Sequence, residues 1–391
     1  MKANALDPRQ ADMKQTIWIP DQYTSQFGLL GAMARELRDA FVAVGHDARI
    51  VSIEDMPNIE SGVLLFMNTP TTIDMLPKAL FEPGGRVRAV QYMVDHLFAL
   101  PDGILDAWVE RAGLGNYRLC MPCADDAHLL RARFPGLVHR WVPHGVPREA
   151  LCAAEAIDAG EHAGREFDVV VTGSVRTQES IDQQLGALPV QLAGMAREMV
   201  YLMMAEPHLG YVAAADLVMG TAGVVTGDWK SLKLLWALVI AMVNRERRLS
   251  TVRALQGLRV GVFGSSAWES ECVETIEYAG EIEYARNAEA FGRGRVALAW
   301  GPSQFVHSYS ERIMQAMASG ACVVADDRLL VRRDFKDCCT LFDWSKPEFA
   351  RRAVDRALGD AAGSVEMARR GRALVEARCL WEHRVGVMLS V

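Results

Sequence analysis

Five short stretches of the 391-residue chain combine side-chain types and spacings that can do chemistry. Asp95-His96 follows the apolar run Arg88 to Met93, and a carboxylate beside an imidazole can accept a hydroxyl proton as a general base. The same two residues also suit structural tasks, Asp95 as a helix cap and His96 as a polar loop residue. Gly173-Ser174 follows the β-branched run Phe167 to Thr172 at once. Such a turn leaves backbone N–H groups for an anion, its glycine permits close approach, and Arg176 adds a positive charge nearby. The three set glycines of a dinucleotide-binding turn are missing. Ser308 and Glu311 open a helix predicted to run to about Ala318 and have the S-x-x-E spacing of a capping box. That helix start can equally receive a diphosphate, because its amides and dipole favour negative charge; both uses need the same N–H groups. Cys120-Met-Pro-Cys123 has the spacing of a redox pair or half a zinc site, but no second pair follows at finger-like spacing, so two ordinary reduced cysteines are expected. His144-Gly145, inside Val-Pro-His-Gly-Val, is a rigid turn suited to a domain junction or to ligand contact.

The elements that must hold these groups are short buried strands separated by helices. Leu29, Leu30, Met33, Leu37, Phe41 and Val44 recur at spacings of three and four, which predicts an amphipathic helix stopped by Gly45. Strands are predicted at Thr16 to Pro20, Ala48 to Ile53, Gly62 to Met67, Arg88 to Met93, Tyr117 to Cys120 and Leu137 to Val142. A second set follows at Phe167 to Thr172, Leu258 to Phe263, Thr275 to Tyr278, Arg295 to Trp300 and Ala321 to Ala325. Strands without strict alternation, each followed by helical material, favour parallel sheets covered on both faces. Ligands of such sheets bind beyond the carboxyl ends of the strands, where the polar stretches above fall. The division expected is 1–150, then 165–375 with a helical insertion at 177–256, then a helix at 376–391 that packs back on the first domain.

Composition narrows the class. Apolar residues make up 50% and charged residues 23%, a globular balance suited to two or three domains. A net charge of −7 discourages general binding to nucleic acid. The longest apolar run, Leu234 to Val243, is ten residues, half of what a membrane span needs. The eight cysteines lack the density of a disulfide scaffold and no apolar leader opens the chain, so a cytoplasmic protein is expected. No H-E-x-x-H, G-x-S-x-G or P-loop motif occurs, which argues against metalloprotease, hydrolase and ATPase chemistry.

The run Tyr278-Ala-Gly-Glu-Ile-Glu-Tyr284, the helix to Phe291, the strand to Trp300 and the stretch from His307-Ser-Tyr-Ser-Glu-Arg to Cys-Val-Val-Ala-Asp326 resemble the donor-binding domain of GT-B glycosyltransferases. The flavour is that of group 1 members of the spore-maturation CgeB-like kind. The resemblance implies an α/β protein of two Rossmann-like domains facing across a cleft, the second holding a nucleotide-diphosphate sugar and the first mainly the acceptor. It implies that Gly173, Ser174 and Gly264 border the cleft, that Arg176 and Arg312 face the diphosphate with the amides of Ser308, Ser310 and Glu311, and that Tyr278 and Gly280 border the base. His307 and Gln315 match the positions at which retaining members carry two glutamates. A mechanism relying on those carboxylates does not transfer, and the stereochemical course stays open. His96 or Asp95 then takes the acceptor proton in an inverting route, or orients the acceptor in a retaining one. His144-Gly145 matches the family's interdomain segment. No metal and no cofactor beyond the nucleotide-sugar co-substrate is implied; glycan, lipid, protein and small-molecule acceptors all fit, as does a homodimer. The same plan would also serve a sugar-nucleotide epimerase or a catalytically idle nucleotide-sugar-binding partner.

Overall fold

A computed structural model describes residues 14–21, 25–68, 82, 84–100, 103–220 and 229–390. The chain divides into two compact units, Met1–Pro147 with Cys379–Val391, and Arg148–Arg378.

The first unit is built on a six-stranded sheet in the order β2-β1-β3-β4-β5-β6. Its strands are β1 (Thr16–Pro20), β2 (Asp47–Val51), β3 (Gly62–Met67), β4 (Val87–Tyr92), β5 (Tyr117–Met121) and β6 (Val138–Trp141), every pairing parallel. The central strand β3 is buried in one unbroken apolar run, Val63 to Met67, because an inner parallel strand is covered on both faces, whereas the edge strands β2 and β6 are largely half-buried or exposed. The predicted amphipathic helix runs from Leu29 to Ala43 and buries Met33, Leu37 and Phe41. The chain's last segment belongs to this unit. The Val146 N–H donates to the Cys379 carbonyl at 3.1 Å and the Trp381 N–H to the Val146 carbonyl at 3.1 Å. Trp381, fully buried, donates from its indole to Glu36 at 2.7 Å. Gly145 is required where it stands, since a Cβ there would meet the Trp381 ring at 2.7 Å.

The second unit carries another wholly parallel sheet, ordered β12-β11-β10-β7-β8-β9. Its strands are β7 (Phe167–Thr172), β8 (Val260–Phe263), β9 (Ile276–Gly280), β10 (Gly294–Ala299), β11 (Cys322–Asp326) and β12 (Thr340–Phe342). The three-residue β12 has no sequence counterpart among the predicted strands, because alternation cannot be read from so short a run. In chain order this is 6-5-4-1-2-3, the doubly wound arrangement in which the winding reverses between β7 and β10. Residues 177–256 are the crossover from β7 to β8. Their described part is helical: Gln178–Gly186, Val190–Ala205, Tyr211–Met219 and the 25-residue Trp229–Arg253. The last of these buries Leu235, Val239, Val243 and Val252.

The turns after β7 and β8 are pressed together. A Cβ on Gly264 would collide with the carbonyl of Gly173, a backbone atom that cannot swing aside. Gly264→Ala should therefore destabilise the protein by roughly 1–3 kcal/mol in urea denaturation. A wild-type midpoint would show that the two turns are not packed as described.

Candidate functional site

The neighbouring strands β7 and β10 feed loops that leave the same edge of the second sheet, at the point where the winding reverses. Gly173 follows β7 with φ +138°, a region that favours glycine. Its N–H donates to Phe263 O at 2.9 Å, and its carbonyl accepts the Trp268 indole N–H at 2.7 Å. The Gly264 N–H donates to Gly280 O at 3.1 Å, and the Tyr278 hydroxyl donates to Gly264 O at 3.2 Å. Gly173, Ser174, Gly264, Tyr278 and Gly280, far apart in sequence, are thus brought together at the ends of β7, β8 and β9.

The cation beside this turn is one that sequence reasoning missed. Arg248, only 8% exposed, reaches from the Trp229–Arg253 helix and donates to the Ser174 carbonyl. Its guanidinium carbon lies 3.4 Å from where a Cβ on Gly173 would stand. Burial, with the nearby charges of Arg312 and Arg328, pushes its pKa down to about 9. Among the described residues neither Arg248 nor Arg312 has a carboxylate partner. Arg176 is exposed in the loop before the Gln178–Gly186 helix and donates to Gln184 on that helix at 3.1 Å, while its carbonyl accepts from Arg245 at 2.7 Å. The sequence signal for Arg248 was the Arg245/Arg248 pair, one turn apart on a helix otherwise rich in apolar residues.

The loop after β10 leads into the helix Arg312–Ala318. The Ser308-x-x-Glu311 spacing does not fall on the helix start as a capping box would. Helical geometry begins at Arg312, so Glu311 occupies the cap position and makes no side-chain cap bond, while Ser308 lies four residues before the first helical residue. The box would need Ser308 itself at the cap. Ser308, Ser310 and Glu311 are buried, and the carbonyl of half-buried His307 accepts the Leu330 N–H at 2.9 Å. Gln315 is 3% exposed with its amide oxygen unpartnered, and the Thr172 hydroxyl at the end of β7 is also buried and unpartnered. Buried polar atoms without partners are rare and mark places where a ligand group fits. A buried guanidinium, a half-buried guanidinium and orphaned acceptors are groups that an anion carrying hydroxyls would satisfy.

In the first unit, Asp95 and His96 follow β4. The Asp95 carboxylate accepts the His96 N–H at 2.7 Å. His96 is buried, with Nε2 2.9 Å from Asp126 Oδ1 and Nδ1 accepting the Phe98 N–H at 3.1 Å. Both ring nitrogens are therefore engaged within the unit, whereas the Asp95 side chain is half-exposed. His144 is buried, its Nδ1 2.9 Å from the Tyr92 hydroxyl, next to the Gly145–Trp381 contact. Cys120 and Cys123 are buried free thiols; burial raises Cys120 to about 12 and Cys123 well above its usual value, so neither carries thiolate chemistry. Among the described residues no three His, Cys, Asp or Glu side chains converge to hold a metal ion, and no helix is long and apolar enough to cross a membrane.

Residues 245–390 match the family model described as glycosyl transferase-like. No curated protein matches the chain in sequence. Several solved structures share the whole fold. A sucrose-phosphate synthase from Thermosynechococcus elongatus is 12% identical at a TM-score of 0.53, covering 96% of this chain and 97% of that one. Anabaena Alr3699/HepE in complex with UDP and glucose is 11% identical at 0.54, covering 96% and 99%. A glycosyltransferase from Rickettsia africae is 8% identical at 0.53, covering 96% and 98%. The fold is that of the GT-B class: two Rossmann-like domains, here with an extended helical crossover in the second.

Burial opposes a charge on His96, but Asp126, with Asp95 and Asp125, raises its pKa above the ordinary 6.5 overall. The folded state thus holds this proton more tightly. The stability it contributes is complete below about pH 6.5 and is lost as pH rises through the raised value. His96→Gln should flatten that part of a urea-denaturation profile measured against pH. An unchanged profile would remove His96 as its source.

Proposed function

We propose that the chain is a glycosyltransferase that moves a sugar from a nucleotide-diphosphate donor to an acceptor nucleophile. One observation carries the reading: a buried guanidinium, Arg248, stands against the Gly173-Ser174 turn at the switch point of a doubly wound sheet, with no carboxylate among the described residues to neutralise it. A leaving diphosphate supplies that charge. Arg248 and Arg312 would stabilise it as the glycosidic bond breaks, and preorganised cations act most strongly in such a water-poor edge. Gln315 offers its free amide oxygen to a ribose hydroxyl, and Tyr278 with Gly280 borders the base. On the acceptor side, Asp95 is the better-exposed proton acceptor or acceptor-orienting group, and His96 braces it through the backbone contact at 2.7 Å. His144 and Gly145, near the end of the first unit's main segment, then serve the junction.

The UDP, glucose and UDP-glucose named for the Anabaena structures support a donor of this type. Within the class, the run from His307 to Asp326 favours the CgeB-like group. Eight unpaired cysteines support a reducing, cytoplasmic setting.

Two measurements test the reading. Purified protein should bind at least one of UDP, GDP, ADP and dTDP, and should release that diphosphate from its sugar conjugate when offered a panel of acceptors; binding to none would overturn the proposal. Removing a charged donor from a phosphate costs about 1.5–3 kcal/mol, so Arg248→Ala should weaken diphosphate binding roughly 10–100-fold in calorimetry. Arg176→Ala should change it far less, and the reverse order would return the clamp to Arg176.

A further inference from the structure

The loop between β10 and the Arg312–Ala318 helix contains His307, Ser308 and Ser310, yet residues 301–311 belong to no strand or helix. An irregular loop of this kind needs something to fix it. Arg328, two residues past the end of β11 and 2% exposed, lies against it. Its Nε pairs with Asp326, its Nη2 donates to Gly301 O at 2.7 Å, and its Nη1 donates to Pro302 O at 2.9 Å and also to Phe305 O. Asp326 closes the circuit by accepting the Gly301 N–H at 3.1 Å. One planar fork therefore holds three carbonyls of the loop, and the carboxylate that orients the fork also holds the loop's first amide. Gly301 makes this possible, because a Cβ there would come within 3.0 Å of the guanidinium carbon.

Other contacts pin the loop farther along. The Ser303 N–H and hydroxyl both donate to Asn244 Oδ1, at 2.8 and 2.7 Å, and Tyr309 donates to Asp334 at 3.1 Å. Asn244 sits on the helix that carries Arg248, so the loop and the buried cation are referenced to one element. Most of Arg328's donors are already spent on protein acceptors. It shapes the site and does not itself bind an anion.

We infer that Arg328 is a positioning residue for donor binding: through Gly301, Pro302 and Phe305 it sets the loop that presents Arg312 and Gln315 to the nucleotide diphosphate. The inference rests on the donor reading above. It requires the geometry of the fork, not merely its charge, because a lysine has a point charge that cannot span three carbonyls.

The test is calorimetric binding of UDP, GDP, ADP and dTDP to wild type, Arg328→Lys and Gly301→Ala, with thermal unfolding of each and amide hydrogen exchange across 301–311. Arg332→Lys, on the exposed side of the neighbouring helix, is the control and should match wild type. Expected is a loss of at least about tenfold in affinity for the bound diphosphate in both site variants, with faster exchange confined to the loop. Unchanged affinity in a folded Arg328→Lys, whatever its melting temperature, would reduce the arginine to a stability element and overturn the inference. Should Arg328→Lys fail to fold, Gly301→Ala decides by the same criterion. If wild type binds no diphosphate, the donor reading falls first and this inference with it.

Discussion

A guanidinium taken out of water without a carboxylate beside it is a standing electrostatic cost, and the second unit is organised around one. Arg248 is buried against the first turn of its sheet and repelled by Arg312 and Arg328, and backbone carbonyl contact offsets only part of that penalty. Arg328, buried more deeply still, is a contrast: Asp326 and three carbonyls satisfy it, so it holds the loop and leaves little charge for a ligand. On the donor reading, the difference between two neighbouring arginines, one provided for and one not, is what suits this sheet edge to an anion. Such strain persists only where the surrounding fold over-determines it.

Sheet topology supplies that over-determination. Because the winding reverses between β7 and β10, their loops diverge and leave a crevice at the carboxyl edge. The close approach of Gly173 and Gly264 closes one wall, and the Arg328 circuit fixes the other. The long crossover helix Trp229–Arg253 spans both, giving Arg248 to the first wall and Asn244 to the second. On the donor reading, the helical extension that looks like an addition to the sheet thus provides the principal cation.

Legibility in the sequence followed the range of the interactions. Gly62 to Met67 and Phe167 to Thr172 read residue for residue as strands, because continuous apolar or β-branched runs encode burial locally. The strand-end glycines were legible for the same reason, being tied to the strands they follow. The S-x-x-E spacing misled, because it counts residues from the cap whereas the actual helix start is set by the packing of the whole loop. Arg176 looked like the clamp since it stands three residues after Gly173. Arg248, 75 positions away, reaches the turn only through a tertiary crossing that no local pattern records.

The positions that resemble a family's two glutamates make a last electrostatic point. Gln315 lies one turn after Arg312 on the same helix, a spacing at which opposite charges pair. A glutamate at 315 would neutralise Arg312 from within the protein; the glutamine offers an acceptor oxygen without a charge. Arg312 accordingly keeps no carboxylate partner among the described residues, and its charge adds to that of Arg248. On the donor reading, the amide does more than mark a lost acid. It hands the cationic charge of both arginines to the leaving diphosphate, and shifts the burden of catalysis from a carboxylate near the sugar to stabilisation of the group that departs.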